Sequence, residues 1–235
     1  MELRHYKRVG APEIRSVNGQ PVLTGAFAVF RSYSQNLGGF VEIIEPGAFD
    51  GAIAAQRDQP IAGVFNHDAN QLLGMSDNGT VTLTADGTAA RYDISLNMKD
   101  PTAIGVAEKV SRGDLRGSSF QFSMPPDGSG ESWSLTDQGF PLRTISRVGA
   151  LYDVGPVTWP AYRATTGDGM AAALRSLALQ VDRPIEELVA AAGRNELRSL
   201  IPSGSLPTVP DPTPSHGPSI ELLRRRLALR KQCPV

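Results

Sequence analysis

Cysteine is almost missing from this sequence. The only one among 235 residues, Cys233, lies at the C-terminal end, so no disulfide framework can form within one chain. Histidine is scarce as well, with three in all: His5, His67 and His216. With one histidine and no cysteine in the body of the chain, only carboxylates remain to bind a hard cation. The strings that would supply them, DNGT and ADGT, read as turns, so neither a metal nor a cofactor is expected. An excess of one charge is also absent. The 23 Lys and Arg against 24 Asp and Glu leave a net charge of −1, which argues against nucleic acid or a membrane surface as a partner. No apolar run reaches spanning length, and the opening MELRHYKRVGAPEIR has no apolar signal segment, so a cytoplasmic setting is expected. The phosphate-cradling Gly-x-x-x-x-Gly-Lys string and the Gly-x-Ser-x-Gly nucleophile elbow are both missing.

Glycine and proline, in contrast, are plentiful at 24 and 18, while aromatics make up only 6%. That balance predicts many turns and short strands. The length allows one sizeable core with an appendage. QPVLTGAFAVF (20–30), VEIIEPGAF (41–49) and PIAGVFNHD (60–68) carry strand character, with short helical potential in GAFDGAIAAQ (47–56). GTVTLTADGTAARYDISL (79–96) alternates on both sides of Asp86-Gly87, a hairpin signal. DPTAIGVAEKVSRG (100–113) is the clearest helix: Asp100 suits the N-cap, Pro101 the first turn and Gly113 the stop. Ile104, Ala107 and Val110 are expected to form its apolar stripe. PPDGSGES (125–132) reads as a turn-rich loop, with strands expected at 141–148 and 150–159. Arg112-Gly113-Asp114 and the sequon Asn78-Gly79-Thr80 are a helix end and a turn rather than signals. The fold class expected is mainly β with inserted helices, α+β and mostly antiparallel.

Four segments are expected along the chain: a body over 1–165, a helical extension over 166–200, a linker over 201–218 and a tail over 219–235. The linker, within IPSGSLPTVPDPTPSHGPS, is rich in proline and nearly devoid of large apolar groups. The tail SIELLRRRLALRK reads as a short basic amphipathic helix. The 170–200 helices lack a strongly basic recognition face, which ranks a DNA-binding role low.

The stretch RGSSFQFSM (116–124) holds adjacent serines in an alternating pattern. Successive strand side chains face opposite ways, so Phe120, Phe122 and Met124 share the core face with Ser118, and Ser119 points away from the core. An outward serine is ordinary surface unless a base stands beside it. Histidine is the usual base at neutral pH, and only His67 closes a core strand. Asp68, Asp93 and Asp153 are candidates to orient it. Asp153 lies in the apolar string GALYDVGPVTWPAY, where an unpaired charge is costly. It is therefore either paired, with the imidazole as a candidate partner, or a turn or capping residue.

EIIEPGAF (42–49), GVFNHD (63–68) with QLLGMS (71–76), GDLRGSSFQF (113–122) and LYDVGPVTWPAYRAT (151–165) occur in an order that resembles the tailed-phage prohead proteases. These are serine proteases of capsid maturation whose fold is similar to herpesvirus assemblin. The resemblance covers about residues 15–165. It implies an assemblin-like antiparallel β-barrel surrounded by helices, with His67, Ser119 and Asp153 as catalytic triad. It further implies the scaffolding segment of the major capsid protein as substrate, cleavage of the protease itself, a homo-oligomer, and action inside the assembling prohead in the bacterial host cytoplasm. Arg163 and nearby backbone amides are candidate oxyanion donors. Gln121 stands where many members have glycine, and Gly155 where serine is common. A non-catalytic capsid-assembly protein of the same fold is the alternative reading.

Overall fold

Asp100 caps the clearest helix as its sequence predicts: its carboxylate accepts the amide of Thr102 at 2.9 Å, ahead of Pro101. The computed structural model describes residues 10–34, 36–158 and 167–201. His5, Arg163, His216, Cys233, the proline-rich linker and the basic tail lie outside the described residues. Eleven strands and four α-helices are described, so the chain is α+β and mostly sheet. β1 (Glu13–Val17), β2 (Gln20–Val29), β7 (Ala89–Ser95) and β6 (Val81–Ala85) form one sheet, in the order β1-β2-β7-β6. β3 (Val41–Ile44), β10 (Pro141–Ile145) and β9 (Glu131–Leu135) form a second, β3-β10-β9. β5 (Leu72–Met75), β4 (Ala62–Val64), β11 (Ala150–Val157) and β8 (Gly117–Ser123) form the third, β5-β4-β11-β8.

Among the described residues these are three separate sheets, and no ladder joins them into the closed barrel that the resemblance implied. Most pairings are antiparallel, but β3–β10 and β4–β11 are parallel. The hairpin at Asp86-Gly87 forms as expected. The Asp86 carboxylate accepts the amides of Thr88 and Ala89, and these bonds with the Thr88 hydroxyl hold its pKa down to about 2. β9 occupies the end of what read as a turn-rich loop and the residues after it.

The main core joins Leu23, Phe27, Phe49, Tyr92, Ile94, Ile145 and Val154, with Phe120 packed against it at ring distances of 5.7 Å from Phe27 and 5.4 Å from Phe49. The helices α1 (Asp50–Ala54) and α2 (Pro101–Ser111) flank it. The buried stripe of α2 is Ala103, Val106, Ala107 and Val110, while Ile104 is 40% exposed. Ala107 and Val110 are thus buried as expected, while Ala103 and Val106 take the place expected of Ile104. A second cluster gathers α3 (Gly167–Val181) and α4 (Ile185–Gly193) over Phe40 and Trp133 of the β3–β9 sheet region, whose rings lie 5.0 Å apart.

Between the two clusters lies a buried charge triad. Arg143 donates from Nη1 to Glu42 at 2.8 Å and from Nε to Glu131 at 2.5 Å, and all three side chains are at most 10% exposed. Two carboxylates share one guanidinium, so burial wins over the attraction of Arg143, and the Glu42 pKa is raised. A carboxyl that holds its proton more tightly folded than unfolded contributes stability below its ordinary value of 4.5. That contribution is lost as pH rises through the folded value. Glu42→Gln should therefore flatten the decline in melting temperature above that range, while Arg143→Met, which strands both carboxylates, should cost about 3–5 kcal/mol. Thermal melts of the three proteins across pH check both.

Candidate active site

The third sheet sets Ser119 on β8 and Asp153 on β11 beside β4, from whose end the chain runs on to His67. β11 is the middle one, parallel to β4 on one edge and antiparallel to β8 on the other. Asp153 pairs with Gln121, and Gly155 pairs with Ser119. Directly opposed residues share a face, so Asp153, Gly155, Ser119 and Gln121 lie on one side of the sheet. Ser118 lies on the other, with Val154, Phe120 and Phe122. The alternation read from RGSSFQFSM therefore holds. One part of it does not: Ser119 faces away from the aromatic core yet is only 4% exposed. A second sheet face can be covered too, which alternation within one strand does not reveal.

Ser118 Oγ lies 2.8 Å from the hydroxyl of Tyr92, a side chain with no exposed surface. Burial pushes the Tyr92 pKa up, and the bond to Ser118 only partly opposes this. Ser118 is thereby committed to the core. Ser119 has no such partner among the described residues.

His67 follows the end of β4 through Phe65 and Asn66. Both Asn66 and His67 adopt left-handed backbone conformations, with φ of 57° and 58°. Its Nδ1 lies 2.6 Å from Oδ1 of Asp153, whose side chain is 11% exposed against 23% for the imidazole. That contact answers the cost of a carboxylate among apolar residues. It also leaves Nε2 as the nitrogen able to take up a proton. The other two carboxylates considered stand elsewhere. Asp68 accepts the amide of Asn70 at 2.9 Å and caps the 3-10 turn Ala69–Gln71, and Asp93 is an exposed residue of β7.

Gly155, which sequence reading marked only as a departure from a common serine, has a structural reason to be glycine. A Cβ there would lie 1.9 Å from the carbonyl oxygen of Val64. The end of β4 thus approaches β11 more closely than any side chain permits, just before the chain turns to His67. No side chain stands directly across from Ser119.

Residues 9–178 match the family model described as Caudovirus prohead serine protease. The chain belongs to this family. The match spans all three sheets and reaches into α3, further than the resemblance to residue 165. By family the chain is a serine protease of phage capsid maturation, working in the assembling prohead. Searches of curated proteins and of solved structures gave no significant match. Among the described residues of this prohead-protease family member, no helix is long and apolar enough to cross a membrane.

Two substitutions test the packing of the site. Ser118→Ala should leave the buried Tyr92 hydroxyl unpaired and cost about 1–3 kcal/mol. Gly155→Ala should cost about as much or more by forcing β4 from β11, at about 1–3 kcal/mol for overpacking. Denaturant titration reads both, and a wild-type midpoint for Gly155→Ala would contradict the close approach.

Proposed function

We propose that Ser119, His67 and Asp153 form the catalytic triad of a serine endopeptidase. The observation that carries this reading is the 2.6 Å contact of Asp153 with His67 on the sheet face that also bears Ser119. Ser119 and Asp153 are diagonal neighbours across the β8–β11 pair, a separation of roughly 7–8 Å in regular sheets. An imidazole held by Asp153 has the dimensions to span that gap. His67 Nε2 takes the Ser119 hydroxyl proton as Oγ attacks the peptide carbonyl, then returns it to the leaving amine as the C–N bond breaks. Water repeats the sequence on the acyl-enzyme and frees the serine. Asp153 keeps the Nδ1 proton in place and stabilises the imidazolium. Arg163 and nearby backbone amides are the candidate oxyanion donors.

The substrate in this reading is the scaffolding segment of the major capsid protein, and the protease itself is a second target. The body over 1–165 carries the chemistry, and the linker over 201–218 offers an accessible cleavage target. The basic tail over 219–235 tethers the enzyme to an acidic scaffold surface.

Co-expression with the capsid protein tests the assignment by gel mobility of the cleaved product. Ser119→Ala and His67→Gln should abolish cleavage, and Asp153→Asn should lower it by about 10⁴-fold, as loss of the orienting acid does in such triads. Ser118→Ala should still cleave at a temperature where it remains folded. Unchanged processing by Ser119→Ala would sink the nucleophile assignment and favour a capsid-assembly role without catalysis.

A further inference from the structure

The last rungs of the β4–β11 ladder carry a feature that the triad itself does not require. In a parallel ladder a residue donates its amide to one strand neighbour and accepts, through its own carbonyl, the amide two residues further on. Asn66 donates its amide to the carbonyl of Pro156 at 3.1 Å, as such a residue should. The amide of Thr158, however, goes to the Asn66 side chain, with Oδ1 accepting at 2.8 Å. The same carboxamide donates from Nδ2 to the Thr158 hydroxyl at 3.2 Å. The side-chain carbonyl has taken the place of the backbone carbonyl. The backbone carbonyl of Asn66 is thereby released from the ladder while its amide stays paired, and both Asn66 and His67 turn left-handed. Asparagine is suited to this, since it tolerates the left-handed region and its carboxamide mimics a peptide group.

We propose that Asn66 is a positioning residue: its carboxamide closes the β4–β11 ladder on Thr158 and so fixes the turn that brings His67 Nδ1 to Asp153. This rests on the triad reading for its effect on catalysis, though not for its effect on the His67–Asp153 contact. Asn66 and Thr158 are both exposed, so water competes for these bonds and their contribution to global stability is small. Their consequence is geometric. Displacement of an imidazole by about 1 Å is enough to lower a rate by about 100-fold.

The test uses the full-length chain and two readouts. The first is the downfield proton resonance of His67 Nδ1–H against Asp153, assigned by its loss in His67→Gln. The second is the rate and pH profile of Ser119 modification by diisopropyl fluorophosphate. Asn66→Gly keeps backbone freedom and removes only the carboxamide. It should lose the downfield resonance and react about 10–100-fold more slowly with an unchanged melting temperature. Asn66→Asp keeps an acceptor for the Thr158 amide and should retain the resonance and much of the rate. Should Asn66→Gly misfold, Thr158→Pro, which deletes the donated amide, serves the same purpose. Wild-type resonance in the Gly or Pro variant overturns the proposal, as does a resonance lost equally in the Gly and Asp variants. Failure of the wild-type protein to react with the reagent at Ser119 would instead count against the triad reading, and the resonance would still decide the role of Asn66.

Discussion

The mixed pairing of β11 is the constraint on which the site depends. A strand with a parallel neighbour on one edge and an antiparallel neighbour on the other brings together segments that are distant in sequence. Here it aligns the exit of β4, the middle of β11 and the start of β8, which carry His67, Asp153 and Ser119. A parallel pair cannot be closed by a tight turn, so the chain between β4 and β11 must make a long excursion. That excursion builds β5, β6, β7, α2, β8, β9 and β10, and with β2 and β3 it forms most of the main core. The core and the site are therefore products of one topological choice.

Among the described residues, acidic groups are buried in two places, and the partners differ in kind. Glu42 and Glu131 share Arg143, a guanidinium that only donates hydrogen bonds. That arrangement ties β3, β10 and β9 together through their side chains, and its excess carboxylate makes it a stability cost at higher pH. Asp153 instead faces an imidazole. An imidazole has a second ring nitrogen that can accept a hydrogen bond or a proton, so the same kind of burial cost is coupled to a group of the type used in general base chemistry. The placement matches this division: the Arg143 triad is almost wholly enclosed, while His67 keeps part of its ring open.

Local signals were legible in the sequence, and contacts across the chain were not. Asp100 and Pro101 announced α2, Asp86-Gly87 announced the hairpin, and the period-2 pattern of 117–124 assigned the faces of Ser118 and Ser119. Each of these depends on a few adjacent residues. Elimination among three histidines and the cost of an unpaired Asp153 pointed to a pair that does meet. The parallel partners of β3 and β4 had no sequence signature, because register between remote strands is set by packing rather than by neighbours. β9 was hidden by the glycine-rich turn before it. The covering of Ser119 and the backbone approach at Gly155 arise from other strands, so RGSSFQFSM alone does not contain them. The ordered family motifs supplied what local reading could not, namely which remote segments belong together.

A histidine placed within β4 itself would have its side chain fixed to one face by the pleat, with its backbone groups committed to the ladder. His67 instead lies just past the strand, after two residues of the chain have left it. Of the two successive left-handed residues, Asn66 belongs to a type that tolerates this conformation, while His67 bears a cost of roughly 1–2 kcal/mol. The ladder offsets part of that cost by continuing through the Asn66 carboxamide to Thr158 where the backbone carbonyl has turned away. The imidazole can then approach Asp153 from beyond the strand end while the strands beneath stay paired. Strand pairing fixes where Ser119 and Asp153 stand, and a turn that breaks strand geometry fixes where His67 stands. Rigid elements thus hold two of the three groups, and the third depends on a short segment whose conformation neighbouring side chains must enforce.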